Sequence, residues 1–475
     1  MKLKRTLLVL LSSTIIVSAL VGCAVSNNNA GLTEDGKILL KVSTEPKDLN
    51  EKQYNASMER YAQFEEFYKN EYPDSKGVHI EPHFYKFSTK DYAAMAIGDQ
   101  LATYYSVPMT EARTVINVGY GRDITKWMKE YGYLNGIDDR VKENIIKDGK
   151  CYLMPTQLYT VGIAVNMEIL KQAGYVAEDG TPYQPKDYEE LAQMAGEIKK
   201  KTGKAGFVLP TTGNSGGWRF TPIAWAYGVD FMEQDKDGNW QATFNTPECV
   251  AALQWVKDLK WKYDAIPENV LMSNAMQKSS FGAGESAMAF SESGSVNSYI
   301  KAGMKKDNIG LIQIPAGPKR RVTLIGGAYD VFSANITDEQ VDTVFKFKDW
   351  AGAGRVFDEA VKQKMEEDIK IKSDEGALIG ILNASPYTDK DPKRAYEIYL
   401  NTEKYVNINM NHVKLYNDQS GIEWQMEEPV EAQALYAVLD NAIQAVLTDK
   451  NADCAKLIDE AYKNFQVTLD TVNNS

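Results

Sequence analysis

The sequence predicts an α/β fold with parallel strands, and three observations support this prediction. A strand, a helix and a second strand follow one another within residues 38–84, which is the length of a βαβ unit. Short apolar runs then alternate with amphipathic segments from about residue 160 to residue 350. The chain has 475 residues, of which 44% are hydrophobic, so two or three domains with substantial cores are expected.

Hydrophobic periodicity defines the first βαβ unit. Residues 38–43 form a continuous apolar segment, typical of a buried strand. Residues 52–72 are predicted to be helical, because bulky side chains recur every three residues at Met58, Tyr61, Phe64 and Phe67. The next strand is indicated by alternating side chains at Val78, Ile80, Pro82 and Phe84.

Apolar runs and capping signals locate the later elements. Thr246 followed by Pro247 marks one helix start, and Thr337 with Gln340 forms a capping box for another. After Gly354 the chain is predicted to be mainly helical, including a helix within residues 430–447. Further strands are predicted at residues 163–165, 207–209, 287–290, 310–314 and 328–332.

The N-terminal residues predict export. Three basic residues within positions 2–5 precede an apolar run over residues 6–22. This run is slightly short for a membrane-spanning helix, which needs about 20 residues. It ends in Leu20-Val21-Gly22-Cys23, which resembles the lipobox of bacterial lipoproteins, where the cysteine is lipidated and becomes the new N-terminus. We expect a signal peptide over 1–22, lipidation of Cys23 and a flexible tether over 23–36.

Composition excludes several classes of function. The net charge of -12 argues against nucleic acid as a partner, because binding phosphates requires a basic surface. Three histidines and four cysteines occur in the whole chain, which disfavours histidine-based catalysis and Cys/His metal sites. We therefore predict no cofactor, no metal and no structural disulfide. The segment Asp235–Asn239 resembles half a calcium loop, but Phe244 stands where the loop needs Glu, so a hairpin is expected.

Two patterns in the sequence suggest catalysis. Residues 213–217 match the pattern G-x-S-x-G, but no strand leads directly into Ser215, and His412 is the histidine downstream. A flexible glycine loop is the preferred interpretation. Glu292 and Asp330 are conceivable as the acid and base of a glycosidase, which leaves an exported glycan-active enzyme open as an alternative.

Four segments, in order, resemble the extracellular solute-binding protein family 1, the sugar-type binding proteins of bacterial ABC importers. They contain an aromatic–glycine strand with an Ala-Gly helix end, a proline-led helix, a Phe-Gly…Ala-Met signature, and a Pro-Gly loop with a Gly-Gly turn. Their positions are 159–174, 185–206, 281–289 and 314–350.

The resemblance implies a two-lobed, periplasmic-binding-protein-like (type II) fold with a ligand cleft between the lobes and a helical C-terminal part. It places residues 37–158 and 308–335 in lobe one and residues 160–306 and 338–475 in lobe two. The hinge is expected near residues 159, 307 and 336.

The same resemblance implies a non-enzymatic lipoprotein that faces the extracytoplasmic side of the cell membrane. Such a protein captures a carbohydrate, here expected to be an oligosaccharide, by interlobe closure and delivers it to the permease subunits of an ABC importer. A binding protein or sensor for a non-sugar solute is the other alternative that remains open.

Candidate ligand residues follow from the chemistry of sugars. Aromatic rings cover the C–H faces of a sugar, while carboxylates, amides and arginine pair with its hydroxyls. Ligands of α/β proteins meet the loops at the carboxyl ends of strands. Trp218 is the leading candidate, because it follows Gly216 and Gly217 and joins no helical stripe; for Tyr329 a core position remains an alternative. The full set is Glu45, Phe87, Ser88, Tyr159, Trp218, Arg219, Ser291, Glu292, Tyr329 and Trp424.

Overall fold

The computed structural model describes residues 31–84, 92–98 and 100–474, and within these ranges helices and strands alternate along the chain. The strands are β1 (Ile38–Ser43), β2 (Val78–His83), β3 (Tyr104–Pro108), β4 (Ile146–Lys147), β5 (Lys150–Cys151), β6 (Leu153–Asn166), β7 (Met232–Gln234), β8 (Trp240–Ala242), β9 (Met288–Glu292), β10 (Ile309–Ile312), β11 (Val322–Phe332) and β12 (Glu423–Met426).

The helices of the first half are α1 (Glu51–Glu71), α2 (Tyr92–Ile97), α3 (Ala112–Asn117), α4 (Thr125–Glu130), α5 (Asp139–Ile145), α6 (Met167–Ala173), α7 (Tyr188–Thr202) and α8 (Ser215–Tyr227). Those of the second half are α9 (Pro247–Trp261), α10 (Asn274–Gly282), α11 (Val296–Lys301), α12 (Asp338–Trp350), α13 (Glu359–Asp374), α14 (Pro392–Tyr399), α15 (Lys414–Asn417), α16 (Ala432–Thr448) and α17 (Cys454–Asn473).

Eight strands of the described ranges form one mixed sheet. β1 and β2 are parallel and joined by α1, which confirms the predicted βαβ unit. β3 is also parallel to β1, and β12 is parallel to β11. The remaining neighbours are antiparallel: β11 pairs with β3 and β6, and β6 pairs with β9 and β10. The fold class is α/β, as predicted, but the sheet is mixed instead of purely parallel.

Two hydrophobic cores divide the molecule into lobes, and the long strands β6 and β11 run through both. Leu153 and Leu158 of β6 pack in the core of lobe one, whereas Ile163 packs in that of lobe two. β11 passes from the core of lobe two, where Leu324 packs, to the core of lobe one, where Val331 packs. The lobes are therefore joined by continuous strands that pair with each other at the crossing.

Two segments lie in the opposite lobe from the one expected. β10 belongs to lobe two, because it pairs with the C-terminal half of β6, placing Ile312 opposite Ile163. α12 belongs to lobe one, where Val341, Val344 and Phe345 pack in its core. β11 consequently crosses between lobes near residue 325, and not near 307 or 336 as expected.

The C-terminal part is mainly helical, as predicted, apart from β12. α16 and α17 pack on α8 and α9 in the core of lobe two. Between them and α13, the segment 378–388 returns to lobe one, where Tyr387 joins the core. Two backbone hydrogen bonds hold it there: Asp138 N–H donates to Pro386 O at 2.9 Å, and Thr388 N–H donates to Gly136 O at 3.0 Å. This segment therefore connects both lobes, in addition to the two strands.

The described chain begins with a turn that packs on lobe one. Thr33 N–H donates to Lys37 O at 2.8 Å, and Leu32 packs against the core, so residues 31–36 are not the flexible tether that was expected. The predicted signal peptide and Cys23 lie outside the described residues. Among the described helices, none combines the length and apolar character needed to cross a bilayer.

Local signals in the sequence were mostly reliable. Thr337 and Gln340 form both bonds of a capping box, and Thr246 caps α9, with Pro247 in its first turn. β7 and β8 form the hairpin predicted around Asp237-Gly238. The three cysteines in the described ranges are buried and are not joined by a disulfide.

The glycine-rich segment 213–217 is not the loop that was predicted, because α8 begins inside it, at Ser215. Gly216 and Gly217 are buried against α16. A Cβ at position 217 would overlap the backbone carbonyl of Tyr436, and one at position 216 would lie 2.7 Å from Asp440 Oδ1. The glycines therefore permit close packing between α8 and α16.

We expect Gly217→Ala to lower the free energy of unfolding by about 1–3 kcal/mol, because the added methyl group forces α8 and α16 apart. Urea unfolding followed by circular dichroism measures this change. Gly294→Ala is the matched control, since a Cβ there meets nothing within 4 Å. Equal midpoints for the two variants would contradict the packing argument.

Candidate ligand-binding cleft

A cavity of about 490 Å³ lies where β6 passes between the lobes. The first turn of α8, the start of α10, the end of β9 and the start of α16 surround it. Its volume is within the range of about 300–1,000 Å³ that is usual for small-molecule sites. The lining residues are Gln157, Leu158, Tyr159, Gly213, Asn214, Ser215, Trp218, Arg219, Asn274, Glu292, Gly294, Ser295, Asn383, Gln433 and Tyr436.

Trp218 lies in the first turn of α8, with its ring partly exposed toward the cavity. Its carbonyl cannot receive the usual helical bond from residue 222, because Pro222 has no N–H. Thr221 Oγ1 donates to that carbonyl instead, at 2.9 Å. The indole Nε1–H donates to Glu427 Oε1. Backbone and ring are thus both fixed by hydrogen bonds.

Arg219 and Glu292 form an ion pair beside this ring. Arg219 is 3% exposed, and its Nη2 lies 3.3 Å from Glu292 Oε1. The same nitrogen donates to Asn274 Oδ1 at 2.9 Å, and Ser295 Oγ donates to Glu292 Oε2. The guanidinium carbon is 5.0 Å from the centre of the Trp218 ring, within cation–π range. The pair gives this wall of the cavity strong hydrogen-bonding groups with no net charge.

Uncharged amides supply most of the remaining polar groups. Asn214 has a left-handed backbone conformation, with φ of 65°, which Asn tolerates better than most residues. Its Nδ2 donates to Gln433 Oε1 at 3.1 Å, which joins α8 to the start of α16. Asn383, from the segment 378–388, accepts a hydrogen bond from Ser293 Oγ. These side chains offer both donors and acceptors to a ligand.

Tyr159 marks the point where β6 crosses between the lobes. Its ring lies over Gly326 of β11, where any Cβ would overlap the phenol. Gly326 and Gly327 therefore lie within a strand rather than in the turn suggested by the resemblance. Burial, with the nearby Glu427 and Glu292 carboxylates, raises the pKa of Tyr159 well above its usual value. The phenol stays protonated and can donate to a ligand.

Comparison with known proteins agrees with this architecture. A sequence profile described as "Bacterial extracellular solute-binding protein" matches residues 56–353. The chain belongs to this family.

Solved structures of similar fold cover nearly the whole solute-binding protein. The cyclic α-maltosyl-1,6-maltose binding protein of Arthrobacter globiformis is 19% identical, with a TM-score of 0.61 over 92% of this chain and 100% of that one. The GacH receptor of Streptomyces glaucescens GLA.O is 18% identical, with a TM-score of 0.61 over 91% and 98%. UgpB of Mycobacterium tuberculosis is 16% identical, with a TM-score of 0.61 over 92% and 99%. These similarities show the shared two-lobed fold.

Four of the predicted ligand residues meet in the cavity of this solute-binding protein: Tyr159, Trp218, Arg219 and Glu292. Trp218 was selected as a loop residue, whereas it belongs to α8. Phe87 and Ser88 lie outside the described residues. Glu45 is exposed and does not line the cavity.

Three other predicted residues lie elsewhere. Ser291 is fully buried beneath the cavity, because neighbouring residues of β9 point to opposite faces; its hydroxyl bonds Tyr299 at 2.9 Å. Tyr329 is 1% exposed in the core of lobe one, which is the alternative that was kept open for it. Trp424 stacks under the Arg140 guanidinium at 3.6 Å and lines a separate cavity behind the hinge.

The prediction missed several lining residues. Asn214 and Ser215 lie inside the glycine-rich motif, whose predicted role was that of a loop. Asn274 follows Ser273, which caps α10, and this start was detectable from the cap alone. The others depend on the packing of the C-terminal part, for which the sequence offered no local signal; they are Asn383, Gln433 and Tyr436.

The catalytic alternatives gain no support from the geometry. Ser215 Oγ faces the carbonyl of Gly213, and no histidine is among the described residues that line the cavity. Asp330 is buried in lobe one, where Lys348 Nζ donates to it at 2.5 Å. Within the described ranges, no cluster of His, Cys, Asp or Glu is arranged to hold a metal ion.

A buried carboxyl group, Glu428, contacts α8 about two turns beyond Trp218 and does not line the cavity. It accepts from Trp225 Nε1 at 3.3 Å, and burial raises its pKa to about 7. A carboxyl group whose pKa is raised on folding stabilises the protein at low pH. That contribution is lost as the pH rises through the folded-state pKa.

We therefore expect Glu428→Gln to raise the melting temperature at pH 8 and to have little effect at pH 5. The shift of the pKa from 4.5 to about 7 corresponds to roughly 3 kcal/mol at most. Thermal unfolding across this pH range, with the exposed Glu403→Gln as control, measures the effect. A pH-independent difference between wild type and Glu428→Gln would contradict it.

Proposed function

We propose that this solute-binding protein captures an uncharged oligosaccharide between its lobes and delivers it to the permease subunits of an ABC importer. The observation that supports this most directly is the juxtaposition of the Trp218 ring with the Arg219–Glu292 pair in one cavity. A flat apolar surface then adjoins fixed donors and acceptors. This combination matches the C–H face and the hydroxyl rim of a sugar ring.

The charge of the cavity favours a neutral ligand. Arg219 is the one cation among the described lining residues, and its charge is already matched by Glu292. A phosphate or carboxylate would have to compete with Glu292 for the guanidinium and would meet its negative charge. Amides such as Asn274 and Gln433, in contrast, bond hydroxyl groups without any change in charge.

The similar proteins support a carbohydrate. The Arthrobacter protein is named for binding cyclic α-maltosyl-1,6-maltose, and GacH was solved in complex with acarbose. UgpB was solved with glycerophosphocholine, which keeps a non-sugar solute as the second candidate. The neutralised Arg219 favours the carbohydrate over this phosphodiester.

Binding is proposed to favour closure of the lobes. The described walls of the cavity come mostly from lobe two, and from the stretch of β6 at residues 157–159. A ligand seated on Trp218 leaves one side for contacts from lobe one, and such contacts favour a closed form. The crossings near residues 159 and 325 lie beside the cavity, where small changes in backbone angle rotate one lobe against the other.

The lipobox-like sequence at residues 20–23 supports the proposed cellular position. Removal of residues 1–22 and lipidation of Cys23 would hold the protein at the extracytoplasmic face of the membrane, beside its permease. Metabolic labelling with an alkyne fatty acid tests this, with Cys23→Ala as the unlabelled control.

Isothermal titration calorimetry against mono- and oligosaccharides, with glycerophosphocholine included, tests the function. We expect a neutral oligosaccharide to bind and Trp218→Ala to weaken binding by about 30-fold or more, as for a central aromatic residue in a binding site. Trp424→Ala is the control and should bind like the wild type, because Trp424 lies outside the cavity.

Three outcomes would contradict the proposal. Binding of glycerophosphocholine without any saccharide would select the non-sugar alternative. Unchanged affinity in Trp218→Ala would remove Trp218 from the site. Conversion of a bound glycan into products, detected by mass spectrometry, would identify an enzyme.

A further inference from the structure

The ring of Trp218 is oriented by a carboxylate that is distant in sequence. Its Nε1–H donates to Glu427 Oε1, 209 residues further along the chain. An indole nitrogen can only donate, and a bond to an ionised acceptor is about twice as strong as one to a neutral acceptor. Rotation of the ring about its own torsions breaks this bond. Glu427 therefore determines which part of the ring meets the cavity.

The backbone beneath the ring is fixed independently. Asn214, which precedes α8, makes no capping bond with its own side chain. Asp440 of α16 supplies the missing acceptors: its Oδ2 accepts from Asn214 N–H and its Oδ1 from Gly217 N–H, both at 2.7 Å. Two N–H groups at the start of α8 are thereby satisfied. With its backbone fixed, Trp218 can move only by rotation about its side-chain torsions.

The position of Glu427 disfavours its charged form. It follows β12 in a partly buried position, and burial raises its pKa, with the carboxylate of Glu111 adding to the shift. Hydrogen bonding from Trp218, and after it from Tyr436, acts in the opposite direction and lowers that pKa. Glu427 is not among the described residues that line the cavity. The indole is thus the first of two groups that stabilise the carboxylate, and the carboxylate in turn fixes the indole.

We propose that Glu427 is a positioning residue for ligand binding: it holds the Trp218 indole in the orientation that the ligand meets, without touching the ligand itself. The inference rests on the proposed function insofar as Trp218 contacts the ligand. Preorganisation of this kind lowers the entropic cost of binding, because the ring is ordered before the ligand arrives.

A measurement without ligand tests the positioning. The protein is labelled with 5-fluorotryptophan, and the ¹⁹F resonance of Trp218 is identified by its loss in Trp218→Phe. Glu427→Leu should shift or broaden this resonance, whereas Glu427→Gln, which keeps an acceptor, should leave it near its original position. Glu428→Gln is the matched control, because its partner is Trp225. An unchanged Trp218 resonance in Glu427→Leu would overturn the proposal.

A double-mutant cycle tests the consequence for binding. With a saccharide that binds the wild type, Glu427→Leu should weaken affinity by about tenfold and Glu427→Gln by less. In the Trp218→Ala background, Glu427→Leu should have no further effect. Equal losses in the two backgrounds would show that Glu427 acts independently of Trp218. If no saccharide binds the wild type, the proposed function fails, while the fluorine spectra still decide whether Glu427 orients the ring.

Discussion

Antiparallel pairing of β6 with β11 at the lobe boundary is the constraint on which the rest of the molecule depends. Both strands contribute to two cores, so neither lobe can be completed without the other. Tyr159 sits at this junction and needs the open space over Gly326. The cavity therefore lies beside paired strands that fix the distance between the lobes. Rotation of one lobe against the other about these strands remains possible.

The cavity is supported by charges that are matched in pairs or by N–H groups. Arg219 is balanced by Glu292, and Asp440 by the first turn of α8. Burying a charge is unfavourable unless hydrogen bonds replace the lost water. Each of these groups gains such bonds from a segment far away in sequence. Because these buried charges need their partners, they also fix the positions of α8, β9 and α16 relative to one another.

Much of the fold could be predicted because its signals are local. The spacing of side chains in α1, the capping box at Thr337 and the hairpin of β7 and β8 depend on neighbouring residues alone. The first turn of α8 was mistaken for a loop because its glycines serve a contact with α16, more than two hundred residues away. Four ligand candidates were found from strand ends and aromatic chemistry. Whether Tyr329 lies in the core or at the cavity could not be decided locally, because it depends on the pairing of β11 with the distant strands β3 and β6.

The origin of the cavity walls has a consequence for how such proteins diversify. The profile that defines the family ends at residue 353, whereas Asn383, Gln433 and Tyr436 come after it. Gln433 and Tyr436 begin α16, which packs on lobe two, and Asn383 belongs to the segment 378–388. Substitutions or insertions there can reshape the cavity while the shared scaffold keeps its sheet and its crossings. Part of the ligand preference can thereby change outside the stretch that the family shares, although Trp218, Arg219 and Glu292 lie within it.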